Sequence, residues 1–206
     1  MPTVLSHITH WENLAEILAA DGLVAYNSLH GDEYVNIADV GVQDRRAKKS
    51  VPCGPGGTLH DYVPLYFAPR SPMLYVIDKG RVPGYDGGQE PVIYLTTTAQ
   101  AVADAGCAFV FTDGHAIMEL SQFYRDLADL KQLDWDVLSG KYWNDTNDHP
   151  DRKRRRQAEF LVWKRLPWSL VKEIGVKTER MQKRVLKVLA STTTHPPVCV
   201  RAKWYY

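Results

Sequence analysis

Hydrophobic positions change period repeatedly along the chain, and each change marks an element boundary. Apolar and β-branched residues crowd Thr3 to His10, which predicts a strand. Leu14, Ile17 and Leu18 then recur at helical intervals, with Thr9 and Glu12 at capping-box spacing ahead of them and Asp21-Gly22 closing the helix after about three turns. Tyr26 to Asn36 is polar and aperiodic and reads as a loop. Val42 to Lys49 suits a short basic helix, and Cys53 to Gly57, dominated by glycine and proline, is irregular.

Val63 to Ala68 is an apolar and aromatic strand cut off by Pro69, and Ser71-Pro72 opens a helical turn through Met73 and Tyr75. After a loop from Gly80 to Gln89 come a strand (Pro91 to Thr96), a helix (Thr97 to Ala105) and a strand (Cys107 to Thr112). Ile117 to Leu130 carries apolar residues at mostly helical spacing. Lys141 to Pro150 is a polar and aromatic run expected to be exposed, together with the basic Asp151 to Arg156. Strands are expected at Ala158 to Lys164, Leu170 to Val176 and Val198 to Tyr206, and a helix at Thr178 to Leu189. Strands and helices mix without a regular βαβ alternation, which favours an α+β or split-sheet fold over a doubly wound one.

A length of 206 residues fits one domain spanning 1–206, and 45% apolar residues are enough for a sizeable core. The 25 Lys and Arg against 24 Asp and Glu leave a charge of +1, so any nucleic-acid contact must come from a local patch. Cys53, Cys107 and Cys199 are far apart and form no CxxC pair, which argues against disulfides and a zinc knuckle and favours a reducing, cytoplasmic setting. The longest apolar run, Ala105 to Phe111, is too short for a membrane span. Met1 to Leu5 lacks the regions of a secretion signal, so neither membrane insertion nor export is expected. No GxGxxG follows a strand, no P-loop follows the glycines at 54, 56 and 57, and there is no HExxH or GxSxG. His7 and His10 fall on different faces of a strand, so no metal site is expected from them.

Three segments carry candidate chemistry. Gln157-Ala158-Glu159 opens an apolar strand directly after Arg152-Lys153-Arg154-Arg155-Arg156. Either this is a solvated turn with one more surface carboxylate, or it is a carboxylate fixed at a sheet edge beside a phosphate-seeking patch. Gln43-Asp44-Arg45-Arg46 has the same two readings. The third segment runs from His60 to Tyr75, HDYVPLYFAPRSPMLY, whose aromatics one at a time suit a core.

Taken together with His7-Ile8-Thr9-His10 and Asn13-Leu14, these segments resemble the DarT family of DNA ADP-ribosyltransferase toxins, a branch of the NAD-dependent ADP-ribosyltransferases. They span most of the chain in the family's order; PRSPMLY and the late Ala158-Glu159-Phe160-Leu161-Val162 are the most telling pieces. The resemblance implies an ADP-ribosyltransferase-like split β-sandwich with flanking helices and NAD in a cleft between two sheets. Glu159 would touch the nicotinamide ribose. Breaking the nicotinamide bond builds an oxocarbenium-like ribose, and a hydrogen bond from its 2′-hydroxyl to a carboxylate strengthens as that charge develops. By the same resemblance His7 and Thr9 meet the nicotinamide and ribose, Asn13 faces the adenosine side, and Tyr66 joins the NAD-binding set. Arg45 and Arg46 bind the pyrophosphate or polarise a carbonyl of the acceptor base; arginine is a poor proton acceptor, so the role is electrostatic.

Gln157, two residues before the glutamate, would select the acceptor, the imide of a thymine in single-stranded DNA, which must be unpaired to be reached. Tyr142, Trp143 and His149 would supply stacking faces and Arg154 and Arg155 would grip phosphates. NAD is then a co-substrate, no metal is needed, and a macrodomain antitoxin of the DarG type is the expected partner. Two other readings stay open at this point: a transferase acting on RNA, protein or another base, and a non-enzymatic nucleic-acid-binding module in which Glu159 is structural.

Overall fold

β1 (Val4–His10) is buried along most of its length, as a strand covered on both faces must be. The computed structural model that contains it describes residues 2–29 and 34–206. The expected capping box does not form: the His10 ring, not Thr9, accepts the Glu12 N–H at 3.4 Å, and a 3-10 turn, Trp11–Asn13, leads into the short α1 (Leu14–Ala19). β2 (Gly22–Val24) follows at once, an element the aperiodic sequence conceals. Gly22 has φ 141° and a Cβ there would overlap the Leu166 carbonyl oxygen, so glycine is required where β2 crosses its partner. The loop expected at Tyr26 to Asn36 contains a 3-10 turn, Tyr26–Ser28, and residues 30–33 of it lie outside the described residues.

α2 (Val40–Lys48) is capped by Asp39, and β3 (Tyr62–Tyr66) and α3 (Pro72–Asp78, capped by Ser71) fall where periodicity puts them. So do β4 (Val92–Thr98), α4 (Ala99–Asp104) and β5 (Phe109–Thr112). The helix expected over Ile117 to Leu130 is absent. That segment is a turn, then β6 (Phe123–Tyr124), then a 3-10 turn, Leu127–Gln132. Pairing of Phe111 with Tyr124, whose rings stack at 5.3 Å, overrides the helical spacing. α5 (Trp135–Ser139) and α6 (Arg152–Arg155) flank the polar-aromatic run, and β7 (Glu159–Trp163) begins at the candidate carboxylate. β8 (Arg165–Pro167) pairs β2; β9 (Glu173–Val176) starts later than expected, after a 3-10 turn. α7 (Glu179–Leu189) is capped by Thr178, and of the final strand only β10 (Val198–Val200) forms, because Tyr205 turns inward and its hydroxyl donates to the Val92 and Gly175 carbonyls.

The main sheet runs β10-β9-β4-β1-β3-β7-β5-β6, antiparallel except for β9 and β10. β1 and β4 pair over seven residues and β3 and β7 over five, whereas β1 and β3 meet only at Ser6 and Tyr66. The sheet is therefore split into two halves, as expected. Pro64 lies on the split: its carbonyl faces β1 and accepts from His7 Nδ1 at 2.8 Å. Its missing N–H faces the same gap and breaks no ladder bond, which is why proline is tolerated in an interior strand. Along β7, Phe160 and Val162 join the main core with α1, α4 and α7, while Leu161 packs with Val51, Leu59 and Tyr62 on the other face. Glu159 shares that second face by strand alternation.

Candidate active site

Glu159 is 3% exposed, and its backbone N–H donates to Thr112 Oγ1 at 3.2 Å. Its Oε2 accepts from Arg46 Nη1 at 2.7 Å and its Oε1 from the Ala116 N–H at 3.1 Å. His115 Nδ1 lies 3.3 Å from Oε1, close enough for attraction but not aligned for a hydrogen bond. Burial opposes ionisation of this carboxyl, but the Arg46 guanidinium and His115 outweigh it and hold the pKa at about 2. Glu159 is a buried carboxylate at neutral pH. Among the described residues Nη2 of the buried Arg46 has no partner, a donor left open beside the carboxylate.

The pair stands in the wall of a cleft of about 640 Å³, which His7, Thr9, Asn13, Arg45, Tyr66 and Gln157 also line. These six come from β1, the turn after it, α2, β3 and the end of α6, so the split brings together all the expected NAD-binding residues. A carbonyl can only accept, so His7 Nδ1 carries the proton toward Pro64 and Nε2 keeps its lone pair; burial, only partly offset by that bond, lowers the pKa and keeps the ring neutral. Burial, with Glu159 nearby, raises the Tyr66 phenol pKa, so it too stays neutral. Arg45 lies exposed at the rim with Nε on the Gly41 carbonyl at 3.2 Å, so the two neighbouring arginines divide between rim and interior. Asn13 is less available than expected. Its Nδ2 donates to Thr9 Oγ1 and the Val35 carbonyl, both at 3.0 Å, and its Oδ1 accepts the Val35 N–H at 2.7 Å. The amide latches the 34–39 segment to β1 rather than facing a ligand with unsatisfied groups.

Residues 6–206 match the family model described as DarT, ssDNA thymidine ADP-ribosyltransferase. The chain belongs to the DarT family. It is similar to the Thermus sp. 2.9 DarT solved with ADP-ribosylated single-stranded DNA: 46% identical, TM-score 0.95, covering 100% of this chain and 97% of that one. The same Thermus protein with NAD+ aligns at 44% identity and TM-score 0.90, over 100% of this chain and 98% of that one. The DNA ADP-ribosyl transferase of Escherichia coli O127:H6 is 36% identical over 200 residues, 97% of this chain and 91% of its own. The activity is ADP-ribosyl transfer from NAD to single-stranded DNA. Among the described residues no group of three or more His, Cys, Asp or Glu is placed to hold a metal ion, and no helix is long and apolar enough to cross a membrane.

For a DarT-family enzyme the DNA-facing residues are the harder part of the site to read, and here several expectations need correction. Trp143 is 9% exposed, edge-on to Tyr75, with its Nε1 on the Tyr206 hydroxyl, so it is a core ring and not a stacking face. Arg154 is bound to Asp151, Asp113 and Ser121, and Arg155 to Asp134 and Asp151, because Asp151 at the head of the run and the distant Asp113 and Asp134 fold against it. Arg156 is buried and donates to the Pro69 and Leu138 carbonyls. Tyr142 and His149 are exposed and do not line the cleft. His115 and Tyr26 line it and were not singled out from sequence; Lys153 was named only within the basic run, and His60 only within the longer motif. His115 and Ala116 had no signal of their own, since they sit in an irregular turn after β5. His60 packs on Tyr26 at 4.3 Å and its Nε2 meets Gln43 Oε1 at 3.0 Å, joining the turn before β3 to α2 one helical turn before Arg46.

Proposed function

We propose that Glu159 is the catalytic carboxylate of this transfer and that Arg46 polarises the acceptor thymine. The observation that carries the reading is the ionised Glu159 held by Arg46 and Ala116 in the cleft wall, with Arg46 Nη2 lacking a partner among the described residues. A structural glutamate would not call for an unsatisfied buried guanidinium N–H beside it. The cleft's size is that of small-molecule sites, and its polar groups converge from both sheet halves, so a dinucleotide fits the residues present.

In this reading Glu159 accepts a hydrogen bond from the ribose 2′-hydroxyl, an interaction that strengthens only as positive charge grows on the ribose. His7, neutral with Nε2 bare, accepts from the nicotinamide amide; Thr9 and Tyr66 border the same end. Arg46 Nη2 donates to a thymine carbonyl, which stabilises the negative charge on the base as the imide N–H proton passes to solvent; the imide nitrogen then bonds to the anomeric carbon of the ribose as that carbon's bond to nicotinamide breaks and nicotinamide leaves. Gln157, whose Nε2 donates to the Lys153 carbonyl at 3.0 Å, keeps its carbonyl oxygen to accept from the imide side of the base. Arg45 and Lys153 serve phosphates from the rim.

Incubation with NAD and single-stranded oligonucleotides of defined composition, read by mass, tests the acceptor. ADP-ribose should add to thymine-containing strands alone; modification of thymine-free strands, or of protein or RNA in preference, overturns this reading. A macrodomain antitoxin of the DarG type is the proposed partner, and the cytoplasm, where DNA and free thiols coexist, the proposed compartment. The Thermosipho africanus protein named DarTG, solved with ADP-ribose, shares the fold at TM-score 0.79 and 21% identity, with this chain covering 51% of it. A purified macrodomain protein should strip the label from modified oligonucleotides.

A further inference from the structure

Arg154 lies in α6, five residues before Glu159, and its side chain is 11% exposed. Its Nε and Nη2 each meet a carboxylate oxygen of Asp151 at 2.8 Å. Its Nη1 donates to Asp113 Oδ1 at 2.8 Å and to Ser121 Oγ at 3.1 Å. The Arg154 backbone carbonyl accepts the His115 N–H at 3.0 Å, and Ser121 Oγ donates to the His115 carbonyl at 2.8 Å. Both backbone groups of His115 are thus tied to Arg154, one directly and one through Ser121. The next residue, Ala116, gives its N–H to Glu159.

Residues 113–121 contain no strand or helix, so no ladder sets where the Ala116 N–H points. The arginine supplies that constraint from behind. Gly114 marks the same packing: a Cβ there would overlap Nη1 and sit 2.9 Å from Cγ of Arg154, so the arginine lies directly against the glycine. A guanidinium bound this way is a poor phosphate hook, because a phosphate would have to displace Asp113 or Asp151 while their charges repel it.

We propose that Arg154 is a positioning residue for the transfer reaction, clamping the 113–121 loop so that the Ala116 N–H and the His115 ring stay on Oε1 of Glu159. The proposal rests on Glu159 being the catalytic carboxylate. Misplacing a reacting group by about 1 Å costs up to about 100-fold in rate, so release of the loop should act on kcat rather than on binding.

The test uses the full chain with Arg154→Ala, Arg154→Lys, Gly114→Ala and Asp113→Asn, assayed with NAD and a thymine-containing oligonucleotide after thermal denaturation has established that each is folded. The expected result is a kcat lower by about 10- to 100-fold in Arg154→Ala, Gly114→Ala and Asp113→Asn, with both KM values within about twofold of wild type. Arg154→Lys should recover part of the loss, since an ammonium still bridges two of the partners. The acid limb of the kcat/KM profile should also move to higher pH in Arg154→Ala. Glu159 is faced by Arg46, His115 and Tyr66, and losing the Ala116 N–H weakens the charged form, a shift that mere loss of folded protein does not produce. Asp113→Asn is the sharpest arm, because a DNA-binding role for this cluster predicts tighter oligonucleotide binding once a negative charge is removed. A wild-type kcat with a raised oligonucleotide KM in Arg154→Ala, or full activity in Gly114→Ala, overturns the proposal. Gly114→Ala keeps every charge and carries the test should Arg154→Ala not fold. Glu159→Gln run alongside separates the two failures: if it retains transfer, the reading of the site fails whatever Arg154 does.

Discussion

Glu159 is ionised against its own burial, and that opposition defines what its neighbours do. Arg46 and His115 stabilise the negative form more than burial penalises it, which lowers the pKa from 4.5 to about 2. A folded-state value below the unfolded one contributes stability above about pH 4.5 that is lost as pH falls toward 2. Glu159→Gln removes that term, so its unfolding free energy should depend less on pH across this window than the wild type's, measured by denaturant titration at several pH values. The same variant should lower kcat at neutral pH by at least about 100-fold, the scale of removing one charge-stabilising group from a transition state. The sequence drew attention to the glutamate as a carboxylate opening an apolar strand after a basic run, but left open whether it was a solvated surface residue, and its burial answers that. Arg46 was named by resemblance, but not its pairing with a carboxylate 113 residues away, and Ala116 contributes only a backbone N–H, which no residue type announces.

Between elements, the split of the sheet is the feature on which the cleft depends. β1 and β3 share one pair, and the His7 ring crosses to the Pro64 carbonyl where the ladder is broken. On the cleft's other side, the 34–39 segment is held by the Asn13 amide through both backbone groups of Val35. Asn13→Ala leaves a half-buried N–H and carbonyl unsatisfied, which should cost about 1–3 kcal/mol of stability. It should also raise KM for NAD while kcat at saturation stays near wild type, because residues of that segment line the cleft. Unchanged KM and Tm would show that the latch is not needed. Periodicity located most of the larger elements but not β2, β8 or β6, each of two or three residues, since so short a strand has no period to read and exists only by its partner.

Across the molecule, a net charge of +1 leaves DNA binding to a few local cations. Arg154, Arg155 and Arg156 look like one patch in sequence but are spread among Asp113, Asp134, Asp151 and backbone carbonyls. Arg45 and Lys153, exposed and lining the cleft, are better placed to meet a strand. Replacing both with alanine should flatten the dependence of log affinity on log salt for single-stranded oligonucleotides by about 1.4, or about 0.7 per phosphate lost. Arg155→Ala, which breaks exposed ion pairs, should leave that slope unchanged; the reverse pattern would return the DNA path to the basic run.

The order of the main strands and helices along the chain and the capping residues Ser71 and Thr178 follow from short-range rules: side-chain period, turn chemistry and caps act within a few residues, and the chain carries them openly. The tertiary structure decided which charges remain available and which residues orient the carboxylate. Trp143 became core, Asn13 a latch and Arg154 a clamp because their partners Tyr206, Val35 and Asp113 lie between 22 and 63 residues away and meet them only in the folded chain. Ion pairing and burial depend on distance in space, and a local pattern of residue types does not contain that distance.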